Sequence, residues 1–201
     1  MVTLRAPSSL PSTQSSPSIP PPSLAWLTGA WNVTHSTLPM WKKNRNVVIT
    51  YTPVAGSSPP QIDDLVTYQP HTSTSKKTVH GVDKPFAVPN NAAASTSKGN
   101  EESDVASLAY TWRGKGWLMI ASSKWEILGY GEEEVTGNAW VVTYFAKTLF
   151  TPAGVDVYSR KGRLVPTTVE DIKNALRGLG GDVEKLAGEV FEITMDGEAE
   201  E

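Results

Sequence analysis

Cysteine is absent from the 201 residues. That excludes a disulfide framework, thiolate metal sites and a cysteine nucleophile, and it fits a reducing compartment. Histidine is scarce, with only His35, His71 and His80. No His, Asp or Glu cluster has metal-ligand spacing, so neither a metal nor another cofactor is expected. No apolar run approaches the roughly 20 residues that a spanning helix needs, so no membrane span is expected. With Lys+Arg at 18, Asp+Glu at 21 and a net charge of -3, the basic excess of a nucleic-acid binder is missing as well. The Ser/Pro-rich start lacks the apolar segment of a secretory leader, and a cytoplasmic location is the expectation.

What the chain does have is tryptophan (seven), tyrosine (six) and many short alternating runs. Residues 1–23 are dominated by Ser, Thr and Pro and read as a disordered arm. From Trp31 onward, β-like runs over 31–38, 45–52, 62–69, 76–82, 105–112, 117–122, 125–130, 138–146 and 155–161 are separated by turn residues. Residues 84–103 form a long insertion, read as a mobile segment or a lid. After Pro166 the period becomes helical: Thr167-Thr168-Val169-Glu170 reads as a capping box, and Val169, Ile172, Leu176 and Leu179 keep one face. A second helix starts at Asp182, and residues 196–201 form an acidic tail. Runs of hairpins in series predict an all-β, up-and-down antiparallel barrel of 8–10 strands over residues 24–195, with C-terminal helices outside it.

Two motifs narrow this architecture. Leu24-Ala25-Trp26-Leu27-Thr28-Gly29-Ala30-Trp31 reads as a helical turn, a glycine hinge and a strand that opens on tryptophan. Far downstream stands Tyr158-Ser159-Arg160. This pairing of Gly-x-Trp with a basic residue on the last strand resembles the calycin superfamily, which includes lipocalins and fatty-acid-binding proteins. The resemblance implies that Arg160 lies across Trp31 and closes one barrel end, and that the barrel encloses a hydrophobic small molecule. Stretches such as Trp112-Arg113-Gly114-Lys115-Gly116-Trp117 look like those of uncharacterised fungal lipocalin-like proteins. Haem-binding calycins carry a C-terminal histidine, and no histidine follows His80.

Strand alternation turns these anchors into a candidate interior. With Trp31 inward, Val33, His35 and Thr37 follow; with Arg160 inward, Tyr158 and Asp156 follow. Pointing the bulky set inward adds Tyr110 and Trp112, Trp117 and Met119, Trp125 and Ile127, and Trp140, Val142 and Tyr144. Candidate ligand-binding residues are therefore Trp31, Tyr110, Trp112, Trp117, Met119, Trp125, Trp140 and Arg160. Such aromatic groups with polar tips suit a mainly apolar pocket, and they suit a packed core equally.

His35, Tyr144, Asp156 and Tyr158 are the candidate acid/base groups. They support a rival reading, a cofactor-independent cyclase or isomerase of natural-product intermediates on the same barrel. In fatty-acid-binding proteins the last strand carries Arg-x-Tyr, which grips the ligand carboxylate; the matching positions here read Asp156-Val157-Tyr158. An inward aspartate is relieved by a neutral or cationic ligand, by Arg45 or Lys147, or by water at the barrel mouth. Asp63-Asp64 reads as a solvated acidic pair, the facing of His80 is open, and the chain is expected as a monomer or homodimer.

Overall fold

Arg160 lies over the Trp31 indole, its guanidinium carbon 3.6 Å from the ring centre. The same guanidinium donates to the carbonyls of Trp26 (2.5 Å), Thr28 (2.7 Å) and Ala30 (2.7 Å). Trp31 Nε1 donates to the Leu27 carbonyl at 2.8 Å. The short helix α1 (Leu24–Leu27), started by Ser23 accepting from the Trp26 amide, is thereby fastened across one end of the sheet.

The computed structural model describes residues 2–10, 17–88, 104–116 and 120–196. Trp117, Met119 and most of the 84–103 insertion lie outside them. The strands are β1 (Gly29–Ser36), β2 (Asn44–Pro53), β3 (Ile62–Pro70), β4 (Lys77–Pro85), β5 (Ala109–Gly114), β6 (Ser122–Glu132), β7 (Ala139–Phe145) and β8 (Gly154–Ser159). Each pairs antiparallel with the next, and β8 returns to β1 to close an eight-stranded barrel. The barrel is the expected up-and-down calycin type. A two-residue strand, β9 (Phe191–Glu192), adds to β1 beyond the point where β2 diverges.

Two apolar clusters divide the molecule. One fills the barrel: Trp31, Val33, Ile49, Tyr51, Ile62, Val66, Tyr110, Trp125, Ile127, Val141 and Tyr158 all belong to it. The other lies outside β7 and β8, where Trp140, Val142, Tyr144, Val155 and Val157 meet Val169, Ile172 and Leu176 of α2 (Pro166–Gly178) and Val183 and Leu186 of α3 (Gly181–Glu189). Helix α2 opens on Pro166 with Val165 as its cap, so the Thr167 capping box is not used. Proline needs no amide partner at that position.

The arm expected to be disordered over 1–23 is packed where it is described. Leu4 is 3% exposed and sits in the outer cluster. Arg5 pairs with Glu126 at 2.7 Å and donates to the carbonyls of Leu108 and Ile127. Gly129 makes room for this, since a Cβ there would lie 2.4 Å from the Leu4 side chain. Ser/Pro composition hid two residues, Leu4 and Arg5, that offset the ordering cost locally.

Arg160→Ala is expected to remove a cation–π contact and leave three carbonyls without their donor, lowering stability by roughly 2–4 kcal/mol in chemical denaturation. Arg160→Lys should recover little, because an ammonium cannot reproduce the planar fork. A lysine variant as stable as the parent would contradict this role.

Candidate functional site

The closure residues set which side chains look into the barrel. Trp31 and Val33 face inward on β1 opposite Ile49 and Tyr158. The register then shifts between Val33 and His35. This bulge returns Ser36 to the interior, where its hydroxyl donates to Asp156 Oδ1 at 2.5 Å. His35 is consequently turned outward, with Glu192, Lys173 and Arg163 as its charged surroundings, and burial lowers its pKa. The inward placement expected for His35 fails because an extra residue inverts strand parity.

Parity also corrects β7. Trp140 and Tyr144 belong to the outer cluster under the helices, and Trp140 covers Gly131. Ala139, Val141 and Phe145 take the inner positions instead. The bulkiest residues went outward because α2 and α3 supply a second apolar surface there.

On the other strands the expected residues do converge. Tyr110 stacks on Trp125 at 4.8 Å, and Tyr51 stacks on the same indole at 5.7 Å. Trp112 is partly buried against this core. It packs over Gly81, where a Cβ would lie 2.3 Å from the indole. Asp156 and Tyr158 are each 1% exposed.

The unexpected members are Asp64 and Asp83, 6% and 0% exposed. The pattern was legible: Asp64 alternates in phase with the apolar Ile62 and Val66, and Asp83 with Gly81 and Val79. Asp63 faces the other way, accepts from His80 Nε2 at 2.8 Å and pairs with Lys115, which also fixes His80 on the outside.

Three carboxyls thus share one barrel interior, and no ion pair among the described residues involves any of them. Neutral donors serve them instead. Trp125 Nε1 donates to Asp83 Oδ1 at 2.7 Å. Asp83 Oδ2 and Asp64 Oδ1 are buried without a hydrogen-bond partner. Burial pushes the Asp83 and Asp156 pKa values up to about 7, despite the opposing hydrogen bonds from Trp125 and Ser36. Asp64 is also raised well above the usual carboxylate range, by burial and by repulsion from Asp83 and Asp63. Arg45, a possible partner for Asp156, is engaged with Asp196 at 2.8 Å, and Lys147 is exposed.

The second end of the barrel is covered by the 3-10 turn Pro39–Lys43, whose Trp41 is 5% exposed and meets Tyr68 edge-on at 5.6 Å. A depression of about 230 Å³ beside this turn is lined by Trp41, Lys42, His71 and Phe191, among others, and by none of the three carboxyls.

An aspartate raised from 3.8 to about 7 holds its proton in the folded chain over that interval while the unfolded chain releases it. Stability therefore falls as pH rises through the interval and stays low above it. Asp83→Asn and Asp156→Asn are each expected to stabilise the ligand-free protein at about pH 8, by at most roughly 4 kcal/mol, and to change little at about pH 4. Denaturant midpoints at both pH values check this; a loss of stability at the higher pH would contradict it.

No protein-family model matches the sequence, and no curated protein matches it. Solved structures do match. Apocrustacyanin C1 aligns with a TM-score of 0.52 at 13% identity, over 85% of this chain and 78% of that one. H1 crustacyanin from the lobster Homarus americanus aligns with a TM-score of 0.53 at 12% identity, over 98% of this chain and 89% of that one. Likeness at such identity is one of fold. It agrees with the closed eight-stranded meander, and this chain has the fold of a lipocalin-like, up-and-down β-barrel.

Proposed function

We propose that the barrel binds a small, largely apolar molecule carrying a basic amine. The observation that carries this reading is the set of inward carboxyls with unpartnered oxygens, Asp64 Oδ1 and Asp83 Oδ2, beside the aromatic group of Tyr51, Tyr110 and Trp125. Buried polar atoms left unpaired cost about 1–3 kcal/mol each, so a donor that satisfies them is rewarded. An ammonium satisfies two needs at once: it supplies the missing donors and it neutralises the carboxylates. The aromatic faces accept both its apolar body and its charge. A fatty acid would meet like charge where fatty-acid-binding proteins offer arginine.

In this reading Asp64, Asp83 and Asp156 hold the amine, while Tyr51, Tyr110, Trp112 and Trp125 surround its body. Trp31 and Arg160 close the far end without touching the ligand. Entry goes past Trp41, so the 3-10 turn moves when the ligand passes. Binding an ammonium displaces carboxyl protons, so affinity rises with pH until the carboxyls are ionised.

A second reading, the cofactor-independent cyclase or isomerase, is favoured by one observation. Asp156, its pKa pushed up to about 7 by burial, stands in the barrel interior with the equally buried Tyr158. Such a carboxyl is matched to proton transfer near neutral pH. A carrier returns its ligand unchanged, whereas an enzyme releases product and loses about 10²-fold or more of its turnover with Asp156→Asn.

The test is calorimetric titration with three probes of one shape: tryptamine, its neutral alcohol analogue tryptophol and the acid indole-3-acetate. Tryptamine is expected to bind at least about tenfold tighter than the other two at neutral pH. That preference should grow from about pH 5.5 to about pH 8 and collapse in Asp83→Asn with Asp156→Asn. Equal or tighter binding of the acid would overturn the amine reading.

A further inference from the structure

In an up-and-down barrel the connections alternate between ends. The β1–β2, β3–β4, β5–β6 and β7–β8 loops therefore share the end opposite Arg160 and Trp31. Their composition is one-sided. Residues 37–43, 71–76, 115–121 and 146–153 contain no Asp or Glu, although the chain as a whole is acidic at -3. They carry Lys42, Lys43, Lys76, Lys115 and Lys147, all exposed. Lys115 is paired with Asp63, and Lys42 lies 5.5 Å above the Phe191 ring.

Among the described residues, the same loops bear most of the large apolar side chains left exposed. Ile120 is 97% exposed, Leu149 95%, Phe150 93% and Met40 49%. Leu149 and Phe150 head the β7–β8 loop, which is tied by Thr148 to Thr151 (backbone, 2.9 Å) so that both side chains project from its tip. Burying an aromatic and two branched aliphatic residues is worth more than leaving them hydrated, and nothing in the barrel does so. Along the rim, the β5–β6 and β7–β8 loops stand two strand spacings apart, about 10 Å, and the β1–β2 loop follows after β8.

We infer that this end of the barrel docks on an anionic lipid bilayer, with Phe150, Leu149 and Ile120 entering the headgroup boundary and the loop lysines contacting lipid phosphates and carboxylates. The four loops themselves carry lysine and no Asp or Glu, while Glu192 borders Lys42 in the neighbouring depression and Asp63 and Asp196 are paired with Lys115 and Arg45. Projecting apolar tips beside unpaired loop lysines suit interfacial binding to negatively charged membranes. Charge complementarity selects a negative partner, and the separate apolar tips on several loops suit a yielding surface better than a shaped protein groove. The same orientation sets the Trp41-covered end of the barrel against the lipid. This proposal does not depend on the amine reading, because it uses none of the interior residues.

Cosedimentation with vesicles tests it. The full chain is expected to partition onto phosphatidylcholine vesicles containing about 30% phosphatidylserine, and weakly onto pure phosphatidylcholine. Raising salt from about 0.1 M to about 0.5 M should release it. Leu149→Ser with Phe150→Ser should lower partitioning at least about tenfold, and Lys42→Glu, Lys43→Glu and Lys147→Glu together at least about a hundredfold. All these side chains are exposed, so the variants keep the parent's near-ultraviolet circular dichroism and denaturation midpoint, which verifies folding. Absence of binding to the anionic vesicles, or parental binding by the Leu149/Phe150 variant, would overturn the proposal.

Discussion

One guanidinium resting on one indole determines what this barrel can contain. Arg160 and Trp31 come from opposite ends of the barrel's sequence, and their contact joins β8 to β1. Once those two residues point inward, the two-residue period of a strand assigns Val33, Asp156 and Tyr158 to the interior. The bulge after Val33 then exchanges His35 for Ser36, and Ser36 is the residue that bonds Asp156. A change in the closure would thus alter both the rim and the identity of the interior groups.

The interior so defined opposes stability. Carboxyls taken from water without a counter-ion favour their neutral form, which is why Asp83 and Asp156 are pushed up to about 7. Compensation comes from elsewhere. Helices α2 and α3 cover the outer face of β7 and β8, and the described part of the arm adds Leu4 and the Arg5–Glu126 pair. A second apolar cluster outside the wall lets the inside remain polar at chosen points. That division suits a protein whose inner groups are completed by something other than its own side chains.

Much of the fold was legible in the sequence, and the candidate site less so. Turn residues and alternation marked the strands, and the Gly29-Ala30-Trp31 and Tyr158-Ser159-Arg160 motifs identified the closing pair. Tyr110, Trp112, Trp125, Asp156 and Tyr158 were placed inward by simple parity. Two kinds of event defeated that parity. A bulge, silent in the sequence, reversed His35. The helices at the C-terminus, read only as external ornaments, drew Trp140 and Tyr144 outward, because bulk alone cannot tell an inner apolar surface from an outer one. Asp64 and Asp83 escape the sequence reading for other reasons: for Asp64 charge outweighs phase, although it alternates with Ile62 and Val66, and Asp83 lies one residue past the expected end of its run at 82, whereas β4 continues to Pro85. Trp117 and Met119 lie outside the described residues. The arm shows that Ser/Pro composition describes an average, and two well-placed side chains can dock part of such a segment.

The central claim is that three carboxyls inside the barrel lack a cationic partner and are held protonated toward neutral pH. Side-chain carboxyl carbon-13 resonances, followed from about pH 3 to about pH 9 in the ligand-free protein, test it directly. The account predicts that the Asp83 and Asp156 resonances move only near pH 7, and that Asp64 also titrates well above the ordinary aspartate range. Titration of all three near the ordinary aspartate value of 3.8 would mean that each is hydrated or ion-paired, and would contradict it.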